Sequence, residues 1–214
     1  MEPVKYSLTE KVYRQIKELI IYGHVQPGES LNVNEIAQRF QVSKTPVREA
    51  FNALKHEGLV EILPYKGCLV SRMNLKDLQE LFDLRALLEG AAAEMAALHA
   101  TDKKLARLEA LVCTDLNDTE EKDPIFFMKL NFDFHVAVAE AGNNDQLRKI
   151  LVNIMDPLQR VLYLDLNIGS THSMINEHRQ LVDLIRKRDA AGAKALMIEH
   201  IRDARNRIFA VDFK

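Results

Sequence analysis

"VSKTPVREAFNALKHEGLV", residues 42–60, reads as a polar helix start followed by an apolar helix body, with a proline set into the first turn. A proline is tolerated there because the first N–H groups of a helix lack intrahelical acceptors, and its fixed φ stiffens the start. Ser43 stands where it can cap that helix. Ser43, Lys44 and Thr45 project from one end, with Arg48 one turn beyond Lys44. Short hydroxyls and free backbone N–H groups suit phosphates, and long cations reach base edges, so this end has the make-up of a DNA-recognition helix. Val47, Phe51, Leu54, Leu59 and Val60 supply the packing side.

Working outward, the apolar spacing predicts a first helix over Leu8–Tyr22, a short second one in "NVNEIAQRF" (32–40) and the third over Thr45–Glu57. The connection "QVS" between the last two is short, as in a helix-turn-helix. After Gly58, "LVEILPYKGCLV" alternates and turns at Pro64–Gly67, which predicts a two-stranded wing. Lys66 and Gly67 at its tip then enter the minor groove or meet the DNA backbone. The competing reading of the same residues is a small helical domain whose charges only solvate it.

The chain has 214 residues, room for one large or two small domains. It is 47% hydrophobic but only 7% aromatic, without tryptophan, which suits a helix-rich protein. The longest apolar stretches, such as "GAAAEMAAL" (90–98), fall far short of a membrane span. "MEPVKYSLTEKVY" at the start has no apolar signal core, so a cytoplasmic protein with no membrane partner is expected. Cys68 and Cys113 are too few and too distant for a disulfide framework or a cysteine zinc site. The net charge of −2 hides a split: residues 1–72 carry ten Lys and Arg against eight Glu, the rest nineteen against twenty-three acids. The basic bias of the first third points a polyanion towards it.

The chain divides near "LVSRMN" (69–74), giving a winged helix-turn-helix over 1–72 and a second domain over 73–214. In the second domain, Leu75, Leu78, Leu81, Phe82, Leu88 and Met95 share a helix face. Asn74 and Thr101 stand as N-caps. Further helices are predicted over Pro124–Ala141, Asp145–Leu166, Ser173–Arg188 and Ala190–Phe209. The fold class is therefore mainly α: an N-terminal winged helix-turn-helix plus a C-terminal all-α helical bundle.

At this point the residues resemble a family. "PGESLNVNEIAQRFQVSKTPVREAFNALKHEGLVEILPYKGCLV" (27–70) resembles the DNA-binding domain of GntR-type transcription regulators, which implies double-stranded DNA as partner. Two positions depart from the pattern. Lys44 replaces the usual arginine, a point charge for a bidentate fork, and Asn34 stands where many members carry an arginine. "LFDLRALLEGAAAEMAA", "LNFDFHVAVAEAGNNDQL" and "EHRQLVDLIRKRDAAGAKALMIEHI" resemble the all-helical FCD-type effector domain of the FadR-like branch. That resemblance implies a homodimer, a small carboxylate effector and, in many members, a divalent metal in the helical core.

The spacing bears on that implied metal. Asn131 and His135 are four apart and share a helix face. His178 and His200 each lie eleven residues from Asp189, the expected cap between the last two helices. An antiparallel hairpin about that turn sets both histidines at one height, about 16 Å from it. With His135 from a third helix they form a cluster suited to Zn, Ni or Mn. Many relatives carry aspartate at the position of Asn131, whose neutral carbonyl is a poorer ligand for a dication. An effector carboxylate completing the sphere is one reading, and histidines that only fill a polar core is another. Arg85, on a mostly apolar face, either pairs with Glu89 one turn on or, as the resemblance implies, grips the effector carboxylate. His24, His56, His99 and His172 have no partner at informative spacing.

The sequence thus reads as a one-component transcription repressor controlled by a small organic acid, and not an enzyme. The rival is a metal-dependent hydrolase with an accessory DNA-binding domain, since three histidines and an open position can activate water. No nucleophile motif, phosphate-binding glycine loop or acid–base pair beside the histidines supports it.

Overall fold

The computed structural model describes residues 7–63, 67–72, 74–113, 124–167 and 171–210. It falls into two compact units, 1–74 and 75–214.

The first unit holds α1 (Leu8–Ile21), β1 (Ser30–Leu31), α2 (Val33–Phe40), α3 (Lys44–His56), β2 (Val60–Leu63) and β3 (Gly67–Val70). Ser7 caps α1 by accepting from the Glu10 N–H, and Asn32 caps α2 by accepting from the Asn34 N–H. Helix α2 ends where Gln41 takes the left-handed conformation, φ 55°, which turns the chain into α3. The core joins Val12, Ile16 and Ile20 of α1, Ile36 of α2, Val47, Phe51 and Leu54 of α3, and Cys68 and Val70 of β3. Burying such a set is what stabilises so small a unit, since three short helices would not persist alone in water. Two expectations change here. The wing is a three-stranded antiparallel sheet, β1-β3-β2, because the two-residue β1 adds to the open edge of β3. A strand that short leaves no alternation to read. Ser43 sits at the N-cap of α3 but its side chain makes no capping hydrogen bond, leaving the hydroxyl uncommitted. Gly67 opens β3 with φ +85°, a conformation open to glycine at little cost.

The second unit is all helix: α4 (Leu75–His99), α5 (Asp102–Val112), α6 (Pro124–Ala141), α7 (Asp145–Met155), α8 (Gln159–Asn167), α9 (Thr171–Arg186) and α10 (Ala190–Ala210). Helix α4 is central and packs on α6, α7, α9 and, most extensively, α10. Small buried residues, Gly90, Ala93 and Ala97 among them, let α10 come close. A Cβ on Gly90 would stand 2.7 Å from Ile198, inside the limit for any real contact. Thr101 caps α5, as expected.

The single helix expected over 145–166 is two, α7 and α8, broken at 156–158. Pro157 is the cause: it has no N–H to give the ladder and its ring crowds the carbonyl four residues back. The α9–α10 hairpin turns at Arg188, φ 60°, and Asp189, whose carboxylate accepts from the Gly192 N–H at 2.9 Å. From that turn the Arg188 guanidinium donates to the Ala97 and Ala100 carbonyls at 3.1 and 2.8 Å, satisfying the C-terminal end of α4. No helix among the described residues is long and apolar enough to cross a membrane.

Candidate functional site

Two constellations stand out, one in each unit. In the first, α3 buries Val47, Ala50, Phe51 and Leu54 and turns the opposite face outwards. Ser43, Lys44, Thr45 and Arg48 are all exposed along that face and its N-terminal end, and none is held by another described residue. Side chains left free in this way are available to a duplex at no cost in folded-state contacts. Gly67 is exposed at the start of β3, and Lys66 lies outside the described residues. At the far end of α3, Tyr13 of α1 donates to Glu57 at 2.5 Å and Lys17 pairs with the same carboxylate at 3.0 Å. This fixes α3 to α1, so the exposed face is presented by a rigid support.

In the second unit the structure brings together His135 of α6, His178 of α9 and His200 of α10, all buried. The hairpin does set the last two at one height. Nε2 of His200 lies 3.3 Å from Nε2 of His178 and 3.4 Å from Nε2 of His135. Three nitrogens bound at 2.0–2.1 Å to one tetrahedral ion stand about 3.3–3.4 Å apart, so both separations match an edge of that tetrahedron. Phe134 stacks on His178, ring centroids 3.9 Å apart, and holds its plane.

Two carboxylates stand behind these rings. Glu89 of α4 touches Nδ1 of His135, a charge contact without hydrogen-bond alignment, and also accepts from Nε of Arg85. Glu177 of α9 meets Nδ1 of His200 at 2.5 Å and its other oxygen accepts from Ser173. Burial would push Glu89 up, but Arg85 and then His135 outweigh it and hold the carboxyl at about 2. Burial pulls His135 down to about 4, with Arg85 adding to the effect against the pull of Glu89. Burial likewise holds His178 well below the usual histidine range. Both rings are therefore neutral at physiological pH, the form in which imidazole ligates a metal.

A cleft adjoins the histidines. Arg85, Asn131, His200 and Arg207 give its polar lining, and Leu162 and Met174 its apolar wall. Arg85 and Glu89 are each 1% exposed, and the pairing that the sequence allowed is present. It does not use up the arginine: Nη1 is buried with no hydrogen-bond partner among the described residues. Asn131 is 5% exposed beside it. His24, His56, His99 and His172 are exposed and take no part.

The sequence reading found no acid–base pair beside the histidines, which Glu177 and Glu89 correct, and it missed Arg207. Glu177 points away from its neighbour His178, as helix geometry requires, and across the hairpin to His200 instead. Arg207 follows His200 by seven residues, two turns along one face, which was a usable signal.

Comparison with known proteins gives the context. Residues 8–70 match the gntR family of bacterial regulatory proteins, and residues 80–203 match the FCD domain. The HTH-type transcriptional regulator YdhC of Bacillus subtilis is 28% identical over 207 residues, covering 93% of this chain and 89% of that one. The HTH-type transcriptional repressor RspR of Escherichia coli is 25% identical over 197 residues, covering 92% and 86%. In fold, the chain is similar to Escherichia coli McbR/YncC, with a TM-score of 0.81 at 22% identity over 96% of this chain and 98% of that one. The matched families and relatives are transcription regulators, which are not enzymes. With a gntR-family match followed by an FCD-domain match that alone spans more than half its length, this chain belongs to the GntR family of bacterial transcription regulators, in the group carrying an FCD domain.

Proposed function

We propose that the protein is a homodimeric repressor that works in the cytoplasm and whose hold on a pseudo-palindromic operator is governed by a small organic acid bound beside a metal in the FCD domain. One observation carries the ligand half of this reading. Three buried imidazoles converge their Nε2 atoms at metal-ligand separations, next to an arginine with a buried, unpartnered N–H group. His135, His178 and His200, with the Asn131 carbonyl, are the residues that would hold Zn, Ni or Mn. A dication bound there would supply a fixed positive charge and, where the Asn131 carbonyl does not take it, an open position for an oxygen anion.

The chain's own residues do the rest. Nη1 of Arg85 offers a charge-assisted hydrogen bond to a carboxylate, Asn131 adds no competing negative charge, and Leu162 and Met174 take the apolar part of a small acid. In the winged unit, Ser43, Thr45 and the wing residues Lys66 and Gly67 meet phosphates, and Lys44 and Arg48 reach base edges. The acid controls the operator only if it binds the DNA-competent and incompetent dimers with different affinity.

The test is elemental analysis of untagged protein purified without chelator, followed by gel-shift assays with a panel of organic acids. About one equivalent of a transition metal per chain is expected, lost in the His178→Ala protein. An acid that releases DNA only from the metal-loaded protein completes the support. No uptake after dialysis against Zn, Ni and Mn salts would overturn the metal reading. The hydrolase alternative requires turnover of esters, lactones or phosphates by the purified protein, and none is expected.

A further inference from the structure

Within the metal reading above, we propose that Glu177 is a positioning residue: it accepts the Nδ1 proton of His200 and so turns a bare Nε2 lone pair towards His135 and His178. Glu177 has its two oxygens engaged separately. Oε1 accepts from Ser173 one turn earlier on α9, and Oε2 lies 2.5 Å from Nδ1 of His200 on α10. A carboxylate only accepts, so this bond requires the proton on Nδ1. In the neutral form, which is the one that ligates a metal, the ring then has no second proton for Nε2.

This favours one of two uses of the cluster. If the three histidines merely filled a polar core, His200 would carry its proton on Nε2 and donate it to a facing imidazole at 3.3 or 3.4 Å. Glu177 removes that option. Glu89 has the matching position behind His135, where its negative charge favours the proton on the facing Nδ1. The Nε2 atoms of His135 and His200, 3.4 Å apart, are then both acceptors with no proton between them. Lone pairs held face to face at this distance repel, and a cation between them removes the repulsion.

Charge follows the same pattern. Asn131 and three neutral imidazoles give a ligand set with no formal charge, an unfavourable host for a buried dication. Glu177 supplies a negative charge one imidazole away, outside the ligand set, where it does not occupy the open position. It is 22% exposed, so replacing it leaves no orphaned buried ion.

The experiment uses the full chain with ¹⁵N-labelled histidine, first metal-free, with His200→Gln assigning the resonance. Long-range ¹H–¹⁵N spectra are expected to show His200 as the Nδ1–H tautomer. Zn affinity by competition with a chromophoric chelator should fall about 10–100-fold in Glu177→Gln. The Co(II)-loaded Glu177→Gln protein should show shifted d–d bands, a change that loss of a distant structural contact would not produce. An Nε2–H tautomer in the metal-free wild type overturns the proposal, as does an unchanged Zn affinity in Glu177→Gln. A wild type that shows the Nδ1–H tautomer but takes no Zn upholds the role of Glu177 towards His200 and sinks the metal reading instead. If Glu177→Gln does not fold, the wild-type tautomer still decides.

Discussion

Arg85→Met tests whether the arginine is a structural ion before it is a ligand. The substitution keeps an apolar stem of similar reach and removes the guanidinium from a pair whose members are each 1% exposed. What remains is a carboxylate with one neutral imidazole for company, in a helix interior closed to water. Breaking a buried pair from one side costs about 3–5 kcal/mol, because the surviving charge keeps its desolvation penalty without the compensating partner. The pair Arg205–Asp83 provides the control, since it joins α10 to α4 at 2.9 Å but its partners are 28% and 56% exposed. Truncating Arg205 should cost less than about 1 kcal/mol. Hydrogen exchange followed by mass spectrometry on α4 peptides of the metal-free protein reads both. Under conditions where opening is limiting by equilibrium, 3–5 kcal/mol corresponds to exchange roughly 10² to several 10³-fold faster. Arg85→Met/Glu89→Met, which removes both charges, should recover most of the loss. Exchange in Arg85→Met less than tenfold faster than in the Arg205 variant would refute the reasoning, and Glu89 would then have found another counter-charge.

Arg48→Ala should weaken operator binding by about 1–3 kcal/mol per protomer with little loss of folded-state stability, because the side chain is exposed. Anisotropy titrations on operator and random duplex check it, and equal weakening on both would reassign Arg48 from base reading to phosphate contact. Tyr13 sets an alkaline limit on the winged unit: burial, then the acceptor Glu57, push its hydroxyl up from 10.0 to about 12. Its neutral form is favoured on folding, so this stabilisation is complete below pH 10 and lost as pH rises through 12. A pH series of thermal melts should show that loss, and Tyr13→Phe should not; identical profiles would count against it.

Much of the fold was legible because the sequence writes faces and ends plainly. The proline of "SKTPVRE" and the apolar spacing behind it place α3, and the eleven-residue arms about Asp189 place His178 opposite His200. What was not legible depends on a partner from another element. Strand β1 exists only because β3 offers it an edge. Pro157 was visible, but the strong helical pattern on both sides masked the break it makes. The pairing of Glu177 with His200 is a relation across the hairpin, and periodicity reports which way a residue faces without saying what stands there.

The turn at Arg188 and Asp189 has an evolutionary consequence. Because its two arms are equal in length and both end in an imidazole, it is a ruler. Deleting or inserting one residue there rotates one arm by about 100° and slides it by about 1.5 Å relative to the other. The guanidinium of Arg188, tied to the last carbonyls of α4, would lose its hold in the same event. Descendants of this chain can therefore retune the site by substitution at Asn131, while the length of that turn is closed to variation.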